Sequence, residues 1–460
     1  MRTAKNLLSI AAVALMVALP SYSFAQTRVT TVTTVDTVKP GDTIRPGEVI
    51  TRTNATVVQA YVSPGTYVLV TQGMPIRVVS SSRLDWPPPY MAATEKYASQ
   101  VSLRPDGSLN GYVAGLPFPL IDPNDPAIAT KLIWKYTYRP MFSDDFDIHY
   151  PIMATYSPAH GDEPINYFVV GHMANYNNVG RVEVPPIPTD RDAFNSGIAS
   201  KFAMFPFIEP SAMFGYGMLR FRYLDPNRAD DIWMYNREAR RLRRETESAQ
   251  SDPIASPPTF GAAMGGSQFA GVAVAPTAAF ANNIDSDSIF GFSANPANYT
   301  YRFLGERRML APVHMVPETC PNDDLLLCTQ NWEIRRLYAV EADAKPNTNM
   351  SIPRRVLYID SEGWFITASD QYDKNDALWK TLVNFVTYED RAAPGARVAI
   401  YPYRRFFELG MVDRDVQDGY TSVAAMPGPG GGPDSWYINM GAVDQAFFTT
   451  GNLELASNRP

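Results

Sequence analysis

In the segment DDFDIH, two carboxylates and an imidazole stand at alternate positions: Asp145, Asp147 and His149. On a β-strand residues two apart point the same way, so these three would share one face. Such a face could hold a metal ion. A solvated acidic face is the simpler expectation, and no metal is assigned. Asp370, Asp373 and Asp376 form D-x-x-D-x-x-D, while Asp413, Asp415 and Asp418 precede Gly419. A calcium loop needs oxygen ligands at alternating positions, closed by a bidentate glutamate. The first group lacks that pattern and the second has Ala424 where the glutamate would stand, so bonding to turn amides is expected of both. No HExxH, P-loop, GxSxG or CxxC motif is present, and Ser267 in GGSQF lacks the second glycine of a nucleophile elbow. No catalytic residue or cofactor is assigned, and the chain is not read as an enzyme.

The two cysteines, Cys320 and Cys328, lie in CPNDDLLLC. In an oxidising compartment two close cysteines are expected to form one disulfide across a small loop. Zinc would need further ligands, and of the four histidines only His314 is nearby. The densest charge is Arg237, Arg240, Arg241, Arg243 and Arg244, interleaved with Glu238, Glu245 and Glu247. A partly paired, solvated face explains it. The functional reading makes Arg240, Arg241, Arg243 and Arg244 a docking patch for an acidic partner or lipid phosphates, because a guanidinium can bond two oxygens at once.

Apolar binding residues are sought where Phe and Met crowd together. FAMFPFIEPSAMFGYGM, Phe202 to Met218, contains Phe205, Phe207, Met213 and Phe214 and is interrupted by Pro206, Pro210 and Gly215. Methionine and phenylalanine adapt to irregular ligands, and they also pack under ordinary loops. Trp233, Tyr235, Trp332, Tyr358 and Trp364 are expected on strands, where they would line either a core or a cavity.

The elements that must position these groups are mostly strands. RRVLYIDSEGWFIT reads as a hairpin, with a turn at Asp360-Ser361-Glu362-Gly363 between two apolar runs. In Gly217 to Tyr223, Leu219, Phe221 and Tyr223 alternate with Met218, Arg220 and Arg222, predicting one apolar face and one mixed, basic face. DIWMYN follows as partner strand, and RRLRRE as a third strand or a short helix. Further strands are expected at Tyr301–Phe303, Trp332–Glu341, Ala377–Thr387 and Arg397–Tyr403. YMAATEKYASQV favours a helix, with proline near its first turn. The 39 prolines and 25 tyrosines suit many short strands and turns.

At the N-terminus, Arg2 and Lys5 precede the apolar run Leu7–Leu19, and Ser23-Phe24-Ala25 ends in small residues. This predicts a secretory signal peptide over 1–25, cleaved after Ala25, with a run of 13 residues too short to span a bilayer comfortably. Removing it leaves 38 basic residues against 47 acidic ones, a net charge of −9. Such a chain is a poor candidate for nucleic acid, whose affinity rests on clustered Lys and Arg. Residues 26–45 read as an extended, low-complexity lead-in and 46–460 as a single domain. That domain is interrupted by a flexible Ala/Gly/Ser/Pro-rich insertion at 251–283 and a Gly/Pro loop at 427–434.

Six blocks carry a family resemblance: GEVITRTNATVVQAYVSPG, ATEKYASQV, GYVAGLPFP, DDIWMYNREARRLRR, WEIRRLYAVEA and RRVLYID…DQYD…LWK. In type and order they resemble a large family of proteobacterial periplasmic proteins described as LolA-like, similar to the outer-membrane lipoprotein-sorting carrier. The resemblance implies a mainly β (α+β) fold: a curved antiparallel sheet forming an incomplete barrel, with helices and loops over its concave side. It further implies a periplasmic carrier or adaptor for a lipid or other hydrophobic molecule, working with an RND-type transporter or an outer-membrane partner. The alternative is a structural protein that docks to a cell-envelope complex without a ligand cavity. The stretch 251–283 departs from the family pattern, so Asp285 and Asp287 receive no role by carry-over.

Overall fold

The computed structural model describes residues 36–158, 163–248, 284–315, 329–391, 401–426 and 435–458, without the side chains of 192, 193 and 212. The signal peptide, residues 26–35 of the lead-in, the 251–283 insertion, the 427–434 loop, Ser267, Cys320 and Cys328 lie outside the described residues.

The first strands are short: β1 (Val49–Ile50), β2 (Ile76–Val79), β3 (Ser102–Leu103) and β4 (Leu109–Asn110). A first long group follows, β5 (Asp145–His149), β6 (Ile152–Tyr156), β7 (Asn166–Asn177), β8 (Ile198–Glu209), β9 (Gly217–Tyr223), β10 (Asp231–Asn236) and β11 (Arg241–Glu245). The second long group is β12 (Tyr299–Ala311), β13 (Gln330–Ala344), β14 (Arg354–Asp360), β15 (Ile366–Tyr372), β16 (Leu378–Glu389) and β17 (Arg405–Asp415). β18 (Thr421–Ala425) and β19 (Trp436–Ile438) complete the set. The helices are α1 (Pro64–Gln72), α2 (Pro88–Tyr97), α3 (Ile128–Thr137), α4 (Arg191–Asn195) and α5 (Thr450–Asn458).

Seventeen strands join in one sheet, leaving β3 and β4 as a separate pair. Antiparallel pairing runs from β12 through β13, β14, β15, β16, β17 and β18 to β6. It continues through β7, β8, β9 and β10 to β11. β2 adds to β13 in parallel, and β5 lies along the far half of β7 with β19 beside it. Among the described residues no pairing joins β11 to β12. The fold is therefore mainly β, a large curved sheet not closed into a barrel.

Neighbouring residues of one strand point to opposite faces, and both faces are covered. On β15, Asp370 faces α1 and Gln371 bonds Ser288 on the other side. α2 and α3 bring Tyr90, Leu132, Ile133 and Tyr136 against Val340, Leu357, Ile359 and Trp364. α1 starts where the sequence dictates: Ser63 caps the Thr66 amide and Pro64 opens the first turn, where its missing N–H costs nothing. The Asp370 carboxylate accepts from the Gly65 amide at 3.1 Å, Ser63 Oγ at 2.9 Å and Thr381 Oγ1 at 2.8 Å. A Cβ on Gly65 would stand 2.1 Å from Thr381 Oγ1, so glycine is what permits this approach.

The hairpin has a longer turn than its apolar pattern suggested. Asp360 Oδ1 accepts from the Glu362 and Gly363 amides at 2.8 and 2.6 Å, so pairing resumes only at Ile366. Trp364, expected on a strand, therefore sits in the turn at φ 61°. Of the strand expected at Arg397–Tyr403, residues 397–400 lie outside the described residues, and 401–403 are not strand, since β17 begins at Arg405. Pro402, lacking an N–H, cannot donate to a ladder. RRLRRE resolves as strand β11 rather than helix.

Candidate functional site

The cavity of interest opens between the end of α3, the neighbouring strands β5, β7, β8 and β9, and residues 290–296. Its volume is about 140 Å³, close to an engineered cavity that takes one benzene ring. Drug-sized ligand pockets are several times larger. Phe142, Phe146, Phe202, Phe290 and Phe292 supply an apolar wall. Phe142 packs against Phe146 at 4.6 Å and against Phe290 at 5.2 Å between ring centroids. Strand alternation places Phe202, Asn175 and Asn177 here, while Ala174 and Ala203 face the opposite side.

Against that wall stand three guanidinium groups, from Arg139, Arg220 and Arg222. Arg222 is neutralised by Asp230, with Nη2 at 2.8 Å from Oδ2, and also donates to the Ser293 carbonyl at 2.8 Å. Arg220 donates to the Ser293 carbonyl at 3.3 Å and lies over the Phe202 ring at 5.3 Å. Burial, reinforced by the neighbouring Arg222 charge and opposed by the carboxylates of Asp230, Asp287 and Glu247, brings Arg220 down to about 10. Arg139 donates to the Tyr136 carbonyl at 3.0 Å and covers that residue's ring at 4.3 Å. Its Nε has no hydrogen-bond partner. Among the described residues neither Arg139 nor Arg220 forms an ion pair within 4.0 Å.

Near Arg139 lies Glu408, 1% exposed, whose Oε1 has no hydrogen-bond partner among the described residues. Burial pushes its carboxyl up to about 8, opposed only by the charge of Arg139. The cavity thus combines an aromatic wall with two cationic groups that form no ion pair among the described residues. Chemically it can hold the acid group of a small amphiphile against a ring or short chain.

None of the nine residues expected to line a cavity lines this one. Phe205 and Tyr235 are buried on the opposite face, with Trp233 packed beside them against the chain end around α5. Phe207 and Met213 belong to the main core with Trp332, whose ring meets Phe385 at 6.3 Å. Arg237 lies over the Phe214 ring at 4.5 Å. Tyr358 packs with Met309 and Leu337, whereas Trp364 stacks on Tyr338 with the Lys135 ammonium 4.2 Å from its ring. The Phe202–Met218 segment reaches the cavity through Phe202 alone.

Arg240, Arg241, Arg243 and Arg244 are all exposed on the turn before β11 and on β11 itself. Arg244 pairs with Asp231. Asp145 is buried against Arg181, 3.2 Å away, and is separated from Asp147 and His149, which meet His172 from β7. Asp373 and Asp415 bond turn amides: Asp373 accepts from Asn375 and Ala377, and Asp415 from Gln417 and Asp418. Asp285, which carried no role, is buried with Arg355 at 3.5 Å.

Sequence reasoning missed Arg139. Arg220 and Arg222 read as part of a mixed, basic strand face, and nothing in that reading showed that residues 290–296 cover it. One signal was available: Arg139 directly follows an aromatic run, Trp134-Lys135-Tyr136-Thr137-Tyr138, too apolar for a solvated helix end.

The family described as Protein of unknown function (DUF1329) matches residues 49–260 and 268–453. A curated relative, uncharacterized protein PA3922 of Pseudomonas aeruginosa, is 23% identical over 202 residues. That match covers 40% of this chain and 38% of PA3922, so this chain spans well under two thirds of its relative's length. Among solved structures, a domain from Vibrio parahaemolyticus classed as an outer membrane lipoprotein-sorting protein shares 13% identity at TM-score 0.43. It is matched over 71% of this chain and 98% of its own. A DUF1329 family protein from Desulfovibrio piger shares 15% identity at TM-score 0.39, over 67% of this chain and 91% of its own.

Proposed function

This chain belongs to the DUF1329 family, and we propose that it is a carrier that binds a small anionic amphiphile in the cavity beside α3. The observation that carries this reading is the pair Arg139 and Arg220, two guanidinium groups at an aromatic wall that form no ion pair within 4.0 Å among the described residues. Leaving cations part-buried and unpaired is costly, and an incoming anion would relieve that cost. The volume suits a ring or short chain, so a two-chain lipid would enter only if residues 290–296 moved outward. In this reading the signal peptide sends the chain to the periplasm, and an RND-type transporter or outer-membrane protein is the partner for transfer.

A second reading is favoured by a different observation. A large cluster of buried apolar side chains fills the main core, and four arginines stand exposed at the β11 edge. That arrangement suits a protein that docks to an acidic envelope partner without cargo. Native mass spectrometry of the periplasmically expressed protein, with organic extraction, separates the two. A bound acid in near-stoichiometric amount supports the carrier. A clean mass that stays unliganded with added fatty acids, together with partner capture lost on changing Arg240, Arg241 and Arg243 to Ala, supports docking.

A further inference from the structure

On the face opposite the cavity, β5 and β7 assemble a second constellation. Their register sets His149 directly across from His172, with Asp147 one diagonal step away. Side-chain alternation points all three the same way. Asp147 Oδ2 lies 2.8 Å from His149 Nε2 and 3.1 Å from His172 Nδ1. The three donor atoms all fall within 4.8 Å of one another, and the two rings meet at 4.5 Å and 75°. Asp147 is buried, whereas His149 and His172 keep 25% and 34% of their side chains exposed. Tyr437 flanks His149 and Phe447 flanks His172, at 5.1 and 5.5 Å between ring centroids.

We propose that Asp147, His149 and His172 form a binding site for a divalent transition-metal ion, zinc first among them. Nitrogen and carboxylate donors at roughly 2.0–2.2 Å suit zinc, and donors bonded to one such ion stand roughly 3–3.6 Å apart. The observed spacings need only small side-chain rotations to reach that geometry. Calcium and magnesium prefer oxygen ligands throughout, so two imidazoles select against both. Among the described residues no Lys or Arg pairs with Asp147, leaving its charge to the two rings. Both histidines and the aspartate sit on paired strands rather than loops, which fixes their backbones before any ion arrives. Three protein ligands leave at least one coordination position facing solvent, open to water or to a donor from another molecule.

The test is zinc titration of the dialysed, untagged full chain in competition with a chromophoric chelator, alongside the cobalt(II) absorption spectrum. The expected result is one zinc per chain, with affinity falling roughly tenfold or more in both His149→Ala and His172→Ala. Binding persists in His314→Ala and in a Cys320→Ser/Cys328→Ser variant, and the cobalt spectrum lacks a thiolate charge-transfer band. The proposal is overturned if the folded wild-type chain takes up no stoichiometric zinc. It is equally overturned if a His149→Ala/His172→Ala chain binds zinc as well as wild type, or if His314 or the cysteines prove to be the ligands. Circular dichroism of each variant separates loss of binding from loss of fold, since both histidines are part-exposed.

Discussion

Replacing Glu408 by glutamine should stabilise the protein in alkaline solution and leave it unchanged in mild acid. Glu408 is 1% exposed, its Oε1 has no hydrogen-bond partner among the described residues, and burial raises its carboxyl from 4.5 to about 8. In the unfolded chain the same group ionises near its ordinary value. Between pH 4.5 and about 8 the unfolded state therefore loses its proton first, so each step up in pH favours unfolding, and the penalty is complete above pH 8. At about 1.4 kcal/mol for each pH unit, the full displacement is worth roughly 5 kcal/mol. Water penetration and relaxation around the charge make that an upper bound, and a gain of about 2–5 kcal/mol is expected for Glu408→Gln at pH 9. Glutamine keeps the shape and polarity of the neutral acid, so at pH 5 the two proteins should differ by less than about 1 kcal/mol. Urea unfolding of both proteins at pH 5 and pH 9 measures the difference. Other buried carboxyls, Asp413 among them, occur in both chains and cancel. A gain of equal size at both pH values, or a loss at pH 9, would refute the burial argument.

Two further outcomes follow from buried charge. Arg335 is 4% exposed and bonds Glu333 at 2.6 Å, Glu362 at 2.9 Å and also Asp360, so Arg335→Met strands three carboxylates. A loss of about 3–5 kcal/mol is expected in thermal or urea unfolding; a neutral result would mean the cluster contributes nothing net. Lys135 is fully buried over Trp364 with no hydrogen-bond partner for Nζ among the described residues, and burial holds its ammonium well below the usual lysine range. Below the ordinary lysine pKa the unfolded chain takes up a proton that the folded one resists. Lys135→Met should therefore raise stability by about 1–3 kcal/mol at pH 7, with the gain shrinking as pH climbs towards 10.5. An unchanged or lowered midpoint at pH 7 would mean that Nζ has a partner in solution.

Much of the strand framework is readable locally, because period-two patterns and Gly-containing turns report it within a few residues. The hairpin across Asp360–Gly363 and the β9–β10–β11 meander are both of this kind. What local patterns cannot report is which face a distant segment will cover. Alternation gives Arg220 and Arg222 one mixed, basic face but not its cover, which residues 290–296, some seventy positions on, supply. His172 likewise meets His149 only through the register of β5 against β7, a non-local pairing with no trace in spacing. Aromatic residues mislead for a related reason. In a sheet buried on both faces, Trp233 and Trp332 pack into different clusters, and neither alternation nor composition distinguishes core from cavity wall. Trp364 adds a purely local surprise, since two amides bonded to Asp360 lengthen the turn and place the indole outside the ladder.

The most direct test of the carrier reading is the affinity of the purified protein for saturated fatty acids from hexanoate upward, measured by calorimetry on wild type and on Arg139→Gln/Arg220→Gln. Charge-assisted hydrogen bonds worth about 1.5–3 kcal/mol imply binding to the wild type that weakens roughly 10- to 100-fold in the double variant. Binding to wild type with that loss is the predicted result. Equal affinity in the two proteins, or no binding to wild type at any chain length, would contradict it.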